Sequence, residues 1–423
     1  MNTIKTIEQI RKSFKEYHFT DWYREETHVR MDNEAFPHTF NASGLENQIK
    51  AIIDKWIMPI KDKLFCIQPC FRRFDIENIE RNWYSIFFQM CGKVHFTPNL
   101  KEELPNYFQK HLDFFTKKLW IDKSKLRFTI FGWGKIATIG NTEMPEDTRS
   151  KEMLNKMWIQ SEKVISIKSP EWKWEIDNFL VRFEREREKY AGYGIDIYYD
   201  LGTEKQLDKN DFQPGNIKWW RFMEISTTRI CDLWRTSEYG QKVEIINSPL
   251  PCVVSWASLE RLAFVLQNTW SVFEIDIYQN IFEIIKRYWF SDTQIKKFIA
   301  LLVPLYYIIS EWNIPWWSNT WKNRDLRMLC KDIFEFFNSS DSFEWLSDHI
   351  QSDSQLNSKR KIFFRELSLK EKSFFSRTYA EILKIYNSVY NTLEGKHKNI
   401  IDIMSNEKAV YLEDKYQKIL ENK

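Results

Sequence analysis

Two arginines in this sequence are placed to hold a phosphate chain. Arg72 closes the stretch CIQPCFR, with Asp75, Glu77 and Asn78 just behind it, and Arg261 lies in LER at the head of an apolar, helix-like run. A guanidinium stays charged and forks onto two oxygens, so arginines converging from separate strands could clamp a triphosphate. The bland alternative is a pair of surface arginines that answer carboxylates. Other chemistries lack their residues. There is no GxGxxG or GxxxxGK[ST] phosphate loop, no HExxH, no G-x-S-x-G, and the seven histidines are dispersed. Cys66 and Cys70 are the only close pair among six cysteines, so no metal site built from His or Cys is expected.

Composition narrows the partners. The formal net charge is +3 over 423 residues, which gives no chain-wide field for nucleic acid and no reason to expect DNA binding. Any basic surface must be local. The first residues lack an apolar signal core. The longest apolar run, FIALLVPLYYII (298–309), is broken by Pro304 and is shorter than the roughly 20 residues a membrane helix needs. These features predict a cytoplasmic protein with reduced, mostly buried thiols and no membrane association.

Strand and helix signals alternate over the first part of the chain. SIFFQMCGKVHF (85–96), GIDIYYD (194–200) and KVEIINS (242–248) read as strands, the first with Phe88, Met90, Val94 and Phe96 at period two. Leu104, Phe108, Leu112, Phe115 and Leu119 repeat at helical spacing, and Ser258 could cap a helix carrying Leu259, Leu262, Ala263 and Leu266. Beyond residue 286 the strand signals stop, and helices are expected over 292–312, 323–337, 341–350 and 360–422. The organisation is thus α+β over 1–288, then an all-helical domain over 289–423.

The order of these pieces resembles the catalytic core of the alanyl-tRNA synthetases, a family of class II aminoacyl-tRNA synthetases. The likeness runs collinearly through TIEQIRKSFKEYH, FNASGLENQIK, CFR, DIEN, FFQMCG, GIDIYYDLG, FMEIS, PCVVSWASLERL and FEIDIY, then ALLVPLYYIISEWNIP. No single motif is specific; the shared order carries it. The resemblance implies a mixed, mostly antiparallel class II sheet with flanking helices, followed by a helical domain that docks a tRNA acceptor stem. It implies ATP and Mg²⁺, with Arg72 on the α-phosphate and Arg261 on the triphosphate. Glu77, Phe88, Asp196 and Glu224 would complete the nucleotide side; either strand acid could hold Mg²⁺ or a ribose hydroxyl, or serve the fold alone. The expected reaction is attack of a carboxylate on ATP to give an acyl-adenylate, then transfer to a tRNA or an amine acceptor.

The departures gather on the acid side, which would be formed by Met90, Leu180, Thr227, Val254 and Trp256. The family's aspartate for the substrate ammonium is here Val254. A glycine is here Trp256, and a second is Ser258. An aromatic wall has become Leu180, an asparagine has become Thr227, and a cysteine-bearing loop has become YAGYGI. A buried ammonium without its carboxylate costs several kcal/mol, so the acid is alanine only if it is held differently. Two expectations follow: a live pocket re-specified for another small carboxylic or amino acid, or an inactive paralogue acting as a tRNA-binding or regulatory protein. Neither an editing domain nor a C-terminal extension fits in the residues that remain. SKRKIFFRELSLKEKSFFSR (358–377), with Lys359, Arg360, Lys361 and Arg365 among its basic residues, could touch RNA phosphates or form a solvated helix face.

Overall fold

Runs of aromatic and β-branched residues, bounded by turn formers, make the described chain strand-rich. The computed structural model describes residues 6–18, 23–24, 43–45, 61–72, 82–136, 142–168, 179–181, 190–202, 221–235 and 245–279, with Asn41, Ile76, Asn78, Ile79, Phe282 and scattered positions over 291–304. The strands are β1 (Tyr23–Arg24), β2 (Lys63–Phe71), β3 (Phe87–Phe96), β4 (Leu126–Ile136), β5 (Thr142–Met144), β6 (Val164–Lys168), β7 (Phe179–Val181), β8 (Tyr190–Asp200), β9 (Phe222–Arg235) and β10 (Ile245–Ser258). They form one mixed sheet of order β1-β2-β3-β10-β9-β8-β4-β5, with β6 beside β4 and β7 beside β8. From β3 through β10, β9 and β8 to β4 every pairing is antiparallel, whereas β1–β2 and β4–β6 are parallel. The expected mixed, mostly antiparallel α+β sheet is therefore present. The helices expected beyond 304 lie outside the described residues.

Helices α1 (Ile7–His18), α2 (Leu100–Asp113), α3 (Thr148–Lys156) and α4 (Leu259–Gln267) flank the strands. Ile7, Ile10 and Phe14 of α1 recur at helical spacing and are buried. The Phe14 ring meets Phe65 of β2 and Phe114, which begins a π-helical turn continuing α2. All ten residues of β3 are buried, as a strand covered on both faces requires. None of the described helices is long and apolar enough to cross a membrane.

β10 departs from the sequence expectation in one respect. The strand expected over 242–248 does not end at Ser248: from Ile245 it runs on through CVVSW to Ser258, 14 residues in all, while 242–244 lie outside the described residues. Pro249 and Pro251 sit inside it, where a ladder amide would be lost. The pairing with β9 slips between Asn247 and Cys252, so the prolines fall where no β9 partner is needed. Within that slip, the carbonyls find partners elsewhere: Thr97 donates to Pro251 at 2.9 Å and the Tyr190 hydroxyl to Leu250 at 2.8 Å.

The chain packs as two compact units. The first takes 1–27, 43–69 and 88–272 and holds most of the sheet; the second takes 28–42, 70–87 and 273–423. In the first, β8 comes so close to β9 that a methyl group on Gly192 would lie 1.7 Å from the Ile230 carbonyl oxygen. Backbone cannot give way there without breaking the bulged pairing. Gly192→Ala is expected to cost about 3 kcal/mol or more and to lower the melting temperature by roughly 10 °C, read by circular dichroism.

Candidate functional site

Directly paired residues of antiparallel strands point to the same face. Gly92 of β3, Trp256 of β10, Thr227 of β9 and Asp196 of β8 are paired in turn and form one row across four strands. Two residues along, Val94, Val254, Arg229 and Gly194 form the next. The register thus brings Thr227, Val254, Trp256 and Asp196, named from sequence, onto one face together with Arg229, which was not. Met90 is paired with Ser258 on the same face. Leu180 lies in β7 opposite Gly192, on backbone pairing alone.

Residues between these rows face the other way, onto α2. Tyr107 donates to the Lys93 carbonyl at 3.1 Å, with the Lys93 ammonium over its ring. Burial, with Lys93 and His18 nearby, holds His111 well below the usual imidazole range. His111 Nε2 lies 2.7 Å from Ser226 Oγ, and Ser226 Oγ donates to the Trp256 carbonyl at 2.7 Å. The hydroxyl has one proton, given to that carbonyl, so the neutral imidazole carries its proton on Nε2. This chain fixes the Trp256 backbone from behind the sheet.

In front, the Trp256 side chain is 6% exposed and its Nε1 donates to the Gly44 carbonyl at 2.7 Å. Gly44 is tight against it: a methyl there would meet Trp256 Cδ1 at 2.8 Å and Gly92 Cα at 3.2 Å. The Gly44 amide points to Met90 Sδ at 3.1 Å. Trp256 is therefore a strut between β10 and the 43–45 turn, with its polar edge satisfied, not a loose wall.

Arg229 reaches along the sheet over Gly194, where a methyl would come within 2.5 Å of its Nη1. Nη1 donates to Asp196 Oδ1 at 2.6 Å, and the Thr227 hydroxyl donates to the same oxygen. Both side chains are nearly buried, at 14% and 10% exposure. Burial alone would lower the Arg229 pKa; Asp196 and Glu224 more than offset it and keep the guanidinium charged.

Arg261 sits in the first turn of α4. Ser258 caps that helix by accepting from the Arg261 amide, and Asn268 ends it in a left-handed conformation. The guanidinium donates to the Glu224 carbonyl at 2.8 Å and lies 3.8 Å from the Glu224 carboxylate, which is 42% exposed. The neighbouring Glu260 is 1% exposed and accepts from the Gln89 amide of β3 at 2.9 and 3.0 Å. Burial pushes its carboxyl up to about 7, against the pull of the Gln89 amide. Gln89 in turn accepts from Arg11 of α1 at 2.5 Å. Glu260 ties the helix bearing Arg261 to β3, whose Phe88 is buried next to Gln89.

The second unit holds Arg72, partly buried after the end of β2, with its amide donating to the Ile86 carbonyl at 2.7 Å. Asn78 is partly buried in a short helical turn. Glu77, Asp75, Lys359, Arg360, Lys361 and Arg365 lie outside the described residues. Among the described residues no three His, Cys, Asp or Glu side chains gather as a metal cage. Sequence reasoning missed Arg229, Gly44, His111 and Glu260. Their roles come from strand register and cross-chain contact, which no local spacing encodes.

The family model for tRNA synthetases class II (A) matches residues 17–301. The alanine–tRNA ligase of Rubrobacter xylanophilus is 24% identical over 284 residues, covering 64% of this chain and 29% of that protein. That of Alkaliphilus metalliredigens is 22% identical over 426 residues, covering 94% and 43%. The chain therefore spans less than half the length of either relative. Among solved structures it is similar to the apo histidyl-tRNA synthetase of S. aureus, at 13% identity and a TM-score of 0.33 over 61% of this chain and 64% of that one.

Two measurements test this geometry. Trp256→Phe keeps an aromatic ring but loses the pyrrole edge and its bond to Gly44, and should lower urea stability by about 2 kcal/mol or more. Glu260 binds a proton in the folded state between its usual value near 4.5 and about 7, where the unfolded chain has released it. Its contribution is therefore full below 4.5 and lost as pH rises through 7. Melting curves of Glu260→Gln should gain on the parent protein from pH 5 to 8, by on the order of 2–3 kcal/mol.

Proposed function

Because this chain belongs to the class II tRNA synthetase (A) family, we propose that it is an ATP-dependent, adenylate-forming ligase that activates a small carboxylic or amino acid. The observation that carries the reading is the bracing of Arg261. Its helix is capped by Ser258, tied to β3 through Glu260, and its guanidinium is held against the Glu224 carbonyl while staying 21% exposed. That is how a preformed anchor for phosphate is built: charged, oriented, and in reach of solvent.

In the reaction, a carboxylate oxygen of the acid attacks the α-phosphorus of ATP. The bond to the bridging oxygen breaks, pyrophosphate leaves, and an acyl-adenylate remains. Arg72 steadies the α-phosphate and Arg261 the departing phosphates. No covalent nucleophile is needed, because orientation and charge neutralisation carry the step. Mg²⁺, which neutralises phosphate charge when bound, needs only one or two protein carboxylates beside the phosphate oxygens. The half-exposed Glu224 fits that part. Asp196, already paired with Arg229, is assigned to the acid pocket. The acyl group then passes to a hydroxyl or amine with release of AMP. A tRNA acceptor end is the assigned recipient, with Lys359, Arg360, Lys361 and Arg365 as phosphate contacts, and the cytoplasm is the assigned compartment.

ATP–pyrophosphate exchange across a panel of acids tests the proposal. Acid-dependent exchange is expected, and Arg72→Ala and Arg261→Ala should each reduce it about 100-fold or more. Exchange that is absent with every acid would replace the ligase by an inactive, tRNA-binding paralogue. Product that survives RNase treatment would move the acceptor from tRNA to a small amine.

A further inference from the structure

Among the described residues, the charges on the proposed acid side are answered. Asp196 is bonded by both Arg229 and Thr227. Val254, paired directly with Arg229, offers only methyl groups. Trp256, in the row with Thr227 and Asp196, has its one polar edge on Gly44. We propose that this face selects carboxylic acids that carry no ammonium group beside the carboxyl, and that the Arg229–Asp196 pair is the specificity-determining element. The inference rests on the ligase reading and adds the substrate class to it.

The argument is one of charge and solvation. An ammonium leaving water needs a carboxylate with charge to spare. Here it would meet a guanidinium across the row and a carboxylate whose charge that guanidinium answers at 2.6 Å. An uncharged alkyl, hydroxyalkyl or aryl chain meets Val254, Trp256 and a neutral ion pair, and loses little. The pair is also sterically provided for. Arg229 can lie along β8 only because position 194 has no side chain. Gly194, Arg229 and Asp196 therefore act as one device, spread over two strands and set by their register.

The test compares acids that differ only at the amine, in the ATP–pyrophosphate exchange of the full chain. Propanoate and lactate are set against alanine, butanoate against 2-aminobutyrate, and phenylpropanoate against phenylalanine. The amine-free partner of the best pair is expected to have at least about 100-fold higher kcat/KM. Arg229→Met, which leaves the Asp196 carboxylate unanswered, should shift that ratio toward the amino acid by about tenfold or more. Arg229→Met/Asp196→Asn, which keeps the floor neutral, should preserve the parent ratio. A ratio is unaffected by a partial loss of folded protein, and the parent protein alone already decides the matter. Amino acids activated as well as their amine-free partners would overturn this inference and leave the ligase reading standing. No exchange with any acid would overturn both.

Discussion

The register of β10 between β3 and β9 is the constraint on which the first unit depends. Antiparallel pairing makes side-chain direction an all-or-none property, since a slip of one residue sends every side chain to the opposite face. Trp256 on the strut side and Ser255 toward α2 are consequences of one alignment, Trp256↔Thr227 and Trp256↔Gly92. The slip between Asn247 and Cys252 is placed so that two prolines are absorbed before the row begins. From Cys252 onward the pairing is regular through Ala257, and α4 starts with Arg261 aimed at Glu224. Rigid backbone upstream thus becomes a positioned guanidinium downstream.

Polar contacts on both sides hold that alignment. Behind the sheet, His111, Ser226 and the Trp256 carbonyl form a buried chain; in front, Trp256 Nε1 closes onto Gly44. Each bond is modest by net energy, but each would be costly to leave unmade in a buried place. A shifted β10 would strand all of these groups together, which is why the arrangement favours one register. Glu260 adds the same logic at the end of the strand, where its carboxylate meets the Gln89 amide.

How far the sequence revealed this follows from the range of each signal. The Ser258 cap, the α4 stripe and the period-two run of β3 are local, and were legible. So was the collinear order that gives the mixed sheet and its family. The extent of β10 was not, because Pro249 and Pro251 locally signal an interruption and only the slip against β9 shows how they are tolerated. Trp256 and Val254 were visible as departures, yet their meaning needed a partner 212 residues away at Gly44 and one across the ladder at Arg229. Nothing in TTRICD tells that the Arg229 side chain crosses a glycine to reach an aspartate on the neighbouring strand.

The two ends of the proposed site obey different physical demands. A phosphate chain has one charge pattern, so its anchors must be cations of fixed orientation, and the bracing of Arg261 suits the role proposed for it. The acid side answers to whatever group is carried, and its chemistry can be inverted if the fold is kept sound. Placing an indole where the row would be crowded requires removing bulk elsewhere. Gly44 and Gly92 do so, their α-carbons 3.3 Å from the methyl positions that each would otherwise offer the other, or nearer. Placing a guanidinium there requires a carboxylate and a bare position to cross, and Asp196 and Gly194 supply them. Simple loss of function would leave cavities and unanswered charge at such a place. Among the described residues, what stands there instead is hydrogen-bonded and neutral, which agrees with the uncharged chain proposed as its substrate.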